Sequence, residues 1–127
     1  MLEQNKNKRR SGMTSNYQID YIEFPSTDGL KTRRFFEKAF GWNSVSYGPT
    51  YHAIEGAGID AGIQGDAQDV SNAPLAIVRT TDLEAAQRAV ELSGGIVTRP
   101  AFDFPGGRRF YFREPGGSEM AVWIAVS

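Results

Sequence analysis

The sequence predicts an α+β domain of two tandem βαβββ modules whose curled, mixed sheets surround a cleft. Three observations predict it. Two stretches with helical spacing each start at a capping aspartate and stop at a glycine. Each stretch is preceded by one strand-like run and followed by three. The two copies also keep step, because Asp28 and Asp82 stand 54 residues apart, as do Gly41 and Gly95. A period this long, present only twice, does not read as a solenoid. It reads as a pseudo-two-fold domain with its two sheets facing each other.

The elements follow in order. Tyr17 to Pro25 alternates and is rich in aromatic and β-branched residues, so it reads as a strand. Ser26-Thr27-Asp28 supplies helix-capping chemistry. From Gly29 to Phe40 the apolar residues Leu30, Phe35, Phe36, Ala39 and Phe40 recur at helical spacing, and Gly41 ends the helix. Strands are expected at about 43–47, 50–55 and 59–65, separated by Gly48-Pro49 and Gly56-Ala57-Gly58. Gly65 to Pro74 is polar and turn-rich and reads as the linker between module one (about 17–65) and module two (about 74–125). Leu75 to Arg79 restarts the pattern. Thr81-Asp82 caps a second helix, with Leu83, Ala86, Ala89, Val90 and Leu92 on one side, ended by Gly94-Gly95. Strands then follow at about 96–101, 108–113 and 119–125. Past the loop Phe102–Gly107 the offset between copies becomes 60, which matches Tyr51 with Tyr111 and Ala61 with Ala121.

Composition bounds the function. The 127 residues fit one domain, and an apolar fraction of 40% supports an unstapled core rather than a disordered chain. The absence of cysteine excludes disulfides, thiolate metal sites and cysteine nucleophiles, and fits a cytoplasmic location. No apolar run approaches the ~20 residues needed to span a bilayer, and no apolar signal-peptide region is expected at the N-terminus. A net charge of -1 gives no reason to expect nucleic acid or a membrane as partner. Lys6, Lys8, Arg9 and Arg10 face only Glu3 near the start, so residues 1–16 read as a flexible basic tail and 17–127 as the domain.

Two segments carry a resemblance. Asp20-Tyr21-Ile22-Glu23-Phe24-Pro25, then Arg34-Phe35-Phe36-Glu37-Lys38-Ala39-Phe40-Gly41-Trp42, is similar to the opening of small bacterial glyoxalase-like proteins. Leu92-Ser93-Gly94-Gly95 and Glu114-Pro115-Gly116-Gly117-Ser118 resemble two later hallmarks of the same group. The chain thus resembles the glyoxalase/bleomycin-resistance/dioxygenase proteins, the vicinal oxygen chelate superfamily, over about 17 to 125. The resemblance implies paired βαβββ modules around a cleft. It does not imply one chemistry, since members isomerise, cleave, epimerise, transfer or merely sequester. Metal-dependent members take His, Glu or Gln ligands from the first and last strand of each module. Those positions match Tyr21, Ala61, Leu75 and Ala121 here, a set that predicts no metal and no other cofactor.

Strand alternation nominates the site. If Tyr21 faces the cleft, Ile19 and Glu23 do too. Leu75, Ile77 and Arg79 join them from the fifth strand, and Glu119, Ala121 and Trp123 from the last. Pairing Tyr51 with Tyr111 adds Arg109 and Arg113. Glu23 is the candidate catalytic base, since a carboxylate in an apolar cleft tends to take up a proton. Arg109 and Arg113 are candidates to clamp an anion. Tyr21, Tyr51, Tyr111 and Trp123 are candidates to pack on a planar ligand, with Arg79 at the same face. His52, the single histidine, falls on the opposite parity from Tyr51, and no triad can be drawn around it. The expected protein is a metal-free binder of a small planar or anionic molecule that forms a homodimer. The alternatives are a metal-dependent lyase, isomerase or dioxygenase with differently placed ligands, and a non-catalytic interaction domain.

Overall fold

The structure, a computed structural model, describes residues 16–66 and 71–126. The expected tail lies outside the described residues except for Asn16, and so does the middle of the linker. Asn16 belongs with the domain: its Oδ1 accepts from the backbone N–H (3.0 Å) and the hydroxyl (2.7 Å) of Thr81.

The elements run β1 (Gln18–Pro25), α1 (Gly29–Phe40), β2 (Asn43–Ser46), β3 (Tyr51–Glu55), β4 (Asp60–Gln64), β5 (Leu75–Arg79), α2 (Leu83–Leu92), β6 (Ile96–Phe104), β7 (Gly107–Arg113) and β8 (Glu119–Ala125). Both modules are therefore βαβββ. Each helix starts where the sequence supplies a cap. The Asp28 carboxylate accepts from the Lys31 N–H at 3.2 Å and Asp82 from the Ala85 N–H at 3.0 Å. Gly41 closes α1 in the left-handed conformation at φ 74°, which a side chain would disfavour.

The eight strands form one mixed sheet, ordered β2-β3-β4-β1-β5-β8-β7-β6. Within each module the first strand lies parallel to the fourth, and β1 joins β5 antiparallel. The modules thus meet edge to edge, rather than as two sheets facing each other. This joint pairs one open edge of each module and leaves β2 and β6 as the edges of the described sheet. Both helices cover one face. Phe36 of α1 packs with Ile22, Phe24, Ile54, Ala61 and Ile63, and Leu83 and Ala86 of α2 pack with Phe110, Phe112 and Val122. Phe110 and Ile63 are wholly buried there.

Three local expectations change. The Phe102–Gly107 loop is mostly strand: β6 runs to Phe104, and only Pro105 and Gly106 turn, with Gly106 at φ 100°. The register shifts between Ile19 and Tyr21, an irregularity that sends Ile19 opposite Val78 on the helix-covered face. Ala61 also lies on that face, against α1, so it neither floors a cleft nor occupies a metal-ligand position. The register explains this. Glu23 pairs with Gly62 as Ile77 pairs with Ala121, so Gly62 is the partner of Ala121 in the repeat. The turn from β7 to β8 is one residue longer than that from β3 to β4. A one-residue slip moves every side chain to the other face. By the same register Tyr111 corresponds to Ala53, and Arg109 to Tyr51.

Candidate binding face

The helix-free face gathers Tyr21, Glu23, Tyr51, Arg79, Arg109, Tyr111, Arg113 and Trp123, as alternation within each strand requires. One row across the sheet reads Tyr21, Ile77, Ala121, Tyr111, Arg99; the next reads Gln18, Arg79, Trp123, Arg109, Phe102. Leu75, Ile77, Ala121 and Tyr111 are buried here and pack with Tyr21, Phe102 and Trp123. Ala121 is fully buried among the larger rings.

At the centre Glu23 and Arg109 face each other across three strand spacings. Both are buried, at 4% and 8% exposure, and Arg109 Nη1 lies 3.5 Å from Glu23 Oε2. That is a long contact for a charge-assisted bond. Arg109 Nη2 donates to the Tyr111 hydroxyl at 2.9 Å, while its buried Nε has no partner among the described residues. The guanidinium carbon lies 5.1–5.5 Å from the ring centres of Phe102, Phe104 and Tyr111. This is a cation held among aromatic faces with part of its donor set unspent.

Beside this pair, the Tyr21 and Tyr51 hydroxyls share a hydrogen bond. They meet directly above Gly62, where any Cβ would collide with both hydroxyls. Gly62 is the register partner of Glu23 on the adjacent strand, and the Glu23 charge acts on both phenols. Burial and the Glu23 charge raise the Tyr51 phenol far above its ordinary range. Burial also raises Tyr21, although its bond with Tyr51 opposes the shift. Both phenols stay protonated at neutral pH.

The remaining candidates lie towards the rim. Trp123 Nε1 donates to Asp20 Oδ1 at 2.9 Å, Arg79 stacks 5.0 Å from the indole centre, and Arg79 Nη1 reaches Asp20 Oδ2 at 3.8 Å. Arg113 donates to the Gly117 carbonyl at 2.7 Å and lies 4.0 Å from Glu119, bracing the turn before β8. It is half exposed and is not brought together with Arg109 on one anion. His52 is buried behind the sheet, its Nδ1 2.8 Å from the Ser46 hydroxyl and its ring against Gly29. Alternation alone missed five contributors: Asp20, Gly62, Arg99, Phe102 and Phe104. Arg99 lies 3.8 Å over the Phe102 ring and 5.6 Å from Tyr111, and its face could have been found from its pairing with Tyr111.

The donor set does not fit a divalent metal. With Gly62 in place of Ala61, the positions are Tyr21, Gly62, Leu75 and Ala121, which offer one protonated phenol and no imidazole or carboxylate. Glu23, the nearby carboxylate, already faces a guanidinium. Among the described residues no three His, Cys, Asp or Glu side chains gather as a metal site. No helix among them is long and apolar enough to cross a membrane.

No protein-family model matches the chain, and no curated protein matches it. Its fold does match solved structures. It is similar to a glyoxalase/bleomycin resistance protein/dioxygenase superfamily member from Vibrio splendidus 12B01, with 14% identity and a TM-score of 0.62 over 84% of this chain and 97% of that one. A methylmalonyl-CoA epimerase from Mycobacterium tuberculosis gives 14% identity and a TM-score of 0.64 over 85% of this chain and 87% of the other. A Mn(II)-bound glyoxalase from Novosphingobium aromaticivorans gives 17% identity and a TM-score of 0.63, over 87% of this chain but 39% of that longer one. At such identities the likeness is one of fold, and with the edge-to-edge βαβββ pair it establishes that this chain has the glyoxalase/bleomycin-resistance/dioxygenase fold, that of the vicinal oxygen chelate superfamily.

Proposed function

We propose that the chain binds a small, planar, anionic molecule on its helix-free face without a metal, with Arg109 as the anion-recognition residue. One observation carries the reading: Arg109 is buried among three aromatic rings with its Nε unpartnered and its carboxylate contact stretched to 3.5 Å. A buried donor left unsatisfied costs about 1–3 kcal/mol, a cost that a bound carboxylate would offset. Phe102 and Tyr111 supply faces for a planar ligand, and Arg99 adds a second positive charge beside them. Glu23 is positioned to exchange a proton with whatever Arg109 holds. The metal-dependent alternative loses support because the matching positions carry no ligating set. The M. tuberculosis neighbour is a methylmalonyl-CoA epimerase, but fold alone assigns no chemistry here.

Thermal melting with benzoate and phenylacetate tests the reading. Ligand at 100 times its dissociation constant adds about 2.7 kcal/mol to the native state. A stabilisation by either acid that disappears in Arg109→Lys is the expected result. No stabilisation, or an equal one in the variant, rejects the site.

A further inference from the structure

We propose a second ligand site on the opposite, helix-covered face of the sheet: a cavity under α2 that takes a neutral aromatic molecule of one or two rings. It stands apart from the binding reading above and does not depend on it. A partly open cavity of about 270 Å³ lies between α2 and the strands β5, β7 and β8. Val78, Phe112 and Val122 line it from the sheet, and Val90 of α2 and the following Gly95 line it from the other side. Its walls are almost wholly apolar. Glu114 lines it too, but its carboxylate already accepts from the backbone N–H groups of Gly116 and Ser118. Burying an ion against such walls is unfavourable, so the cavity selects neutral molecules.

Module one shows what fills this space. There Phe24, Phe36 and Trp42 pack as one cluster, with ring centres 5.2 Å apart between Phe24 and Phe36 and 5.1 Å apart between Phe36 and Trp42. The repeat fixes their counterparts. Phe24 pairs with Ile63 as Val78 pairs with Val122. Phe36 and Val90 lie equally far past the capping Asp28 and Asp82. Trp42 directly precedes β2 as Gly95 directly precedes β6, and Asn43 pairs with Glu55 as Ile96 pairs with Arg113. Val78, Val90 and Gly95 all line the cavity. Two phenyl rings and an indole have thus given way to two valines and a glycine on the same backbone frame. Phe112, in place of Ile54, returns only one ring. The chain cannot refill the space from Gly95, because a Cβ there would lie 2.7 Å from Val90 Cγ1. Apolar cavities of about 150 Å³ take up benzene, so this one has room for a second ring. The occupant that fits is therefore the group that module one supplies from its own side chains.

Indole is the probe, followed by calorimetry and by the methyl resonances of methyl-labelled protein. Wild type should bind it, and the methyls of Val78, Val90 and Val122 should shift by ring current while those of Ile54 and Ile63, in module one, stay in place. Val90→Phe copies Phe36 and should fill the cavity. Its melting temperature should match or exceed that of wild type, and its affinity for indole should fall about tenfold or more. Val78→Phe, which copies Phe24, is the second filling variant and serves if the first does not fold. Arg109→Lys, on the other face, should bind indole as wild type does. No binding by wild type overturns the proposal, as does affinity retained in the filling variants. Affinity lost in Arg109→Lys places indole on the helix-free face and also overturns it. Valine methyls that shift with protein concentration alone, with no indole present, assign the cavity to an aromatic side chain of a second copy and overturn it as well.

Discussion

Replacing Glu23 and Arg109 separately and together distinguishes a pair that holds the fold from a pair kept for a ligand. Their side chains are 5% and 10% exposed and 3.5 Å apart. At an effective dielectric near 20, two unit charges at that separation attract by about 5 kcal/mol. Removing each ion from water costs several kcal/mol, so the pair as a whole contributes close to nothing. Removing one partner is a different matter, because it leaves a buried charge uncompensated. Arg109→Met should therefore lose about 3–5 kcal/mol of stability. The double variant Glu23→Leu with Arg109→Met should return to within about 2 kcal/mol of wild type, or exceed it, since well-packed apolar residues replace buried ion pairs without loss. Urea unfolding followed by tryptophan fluorescence gives the midpoints, with an unchanged slope required for the comparison. The double variant should at the same time lose all affinity for aryl carboxylates. If it stays as unstable as Arg109→Met, the pair holds the sheet together. If Arg109→Met costs under about 1 kcal/mol, the guanidinium is hydrated and the buried-site argument fails.

Further outcomes follow from other parts of the face. Stability should fall as pH rises above 10.0, the ordinary phenol value, because the unfolded tyrosines ionise there while folded Tyr51, raised by burial, stays protonated; Tyr51→Phe should flatten that limb of the melting profile. Gly62→Ala should drive the two hydroxyls apart and destabilise the protein by about 1–3 kcal/mol, the range for an overpacked core, read by urea unfolding. Chelator should leave the melting temperature unchanged, and metal analysis of the purified protein should find no stoichiometric divalent ion. A two-fold homodimer is expected, now from the exposed Leu30, Phe35 and Phe40 of α1 rather than from the helix-free face; light scattering should report twice the chain mass at tens of micromolar, and Phe35→Ser with Phe40→Ser should halve it.

The helices were legible because their ends are chemically marked. Asp28, Asp82 and Gly41 each satisfy or terminate a helix end by local chemistry that needs no tertiary information. Apart from β6, which runs three residues past its expected end, the strands were legible to within a residue for the same reason, since glycine and proline mark the turns. The joining of modules was not. Whether two sheets face each other or share an edge depends on which strands bond, and Tyr21 pairs with Ile77 across a span that no local pattern reveals. The contact of Arg109 with Glu23 was equally hidden, because it joins strands that are not neighbours in the sheet.

The error at Ala61 shows where alternation stops being safe. Period-two reasoning holds along a regular stretch of strand but carries no information through a turn, so one miscounted turn residue inverts the face of the next strand. Matching Ala61 with Ala121 assumed equal turns before β4 and β8. The turn before β8 has one residue more, and the true partner is Gly62. The consequence for function is large. Alanine at the face would have made an inert floor, whereas glycine admits two phenols over the carboxylate's neighbour. The irregularity beside Asp20 has the same effect in reverse, since it turns Ile19 away, while the Asp20 carboxylate meets Trp123 and Arg79. Residues that gather at this face therefore owe their place to breaks in the regular pattern as much as to the pattern. Irregularities of this kind are often retained where a side chain must be aimed, and those in β1 and β6 fall beside Asp20, Arg99 and Phe102, which join Glu23 and Arg109 on the helix-free face.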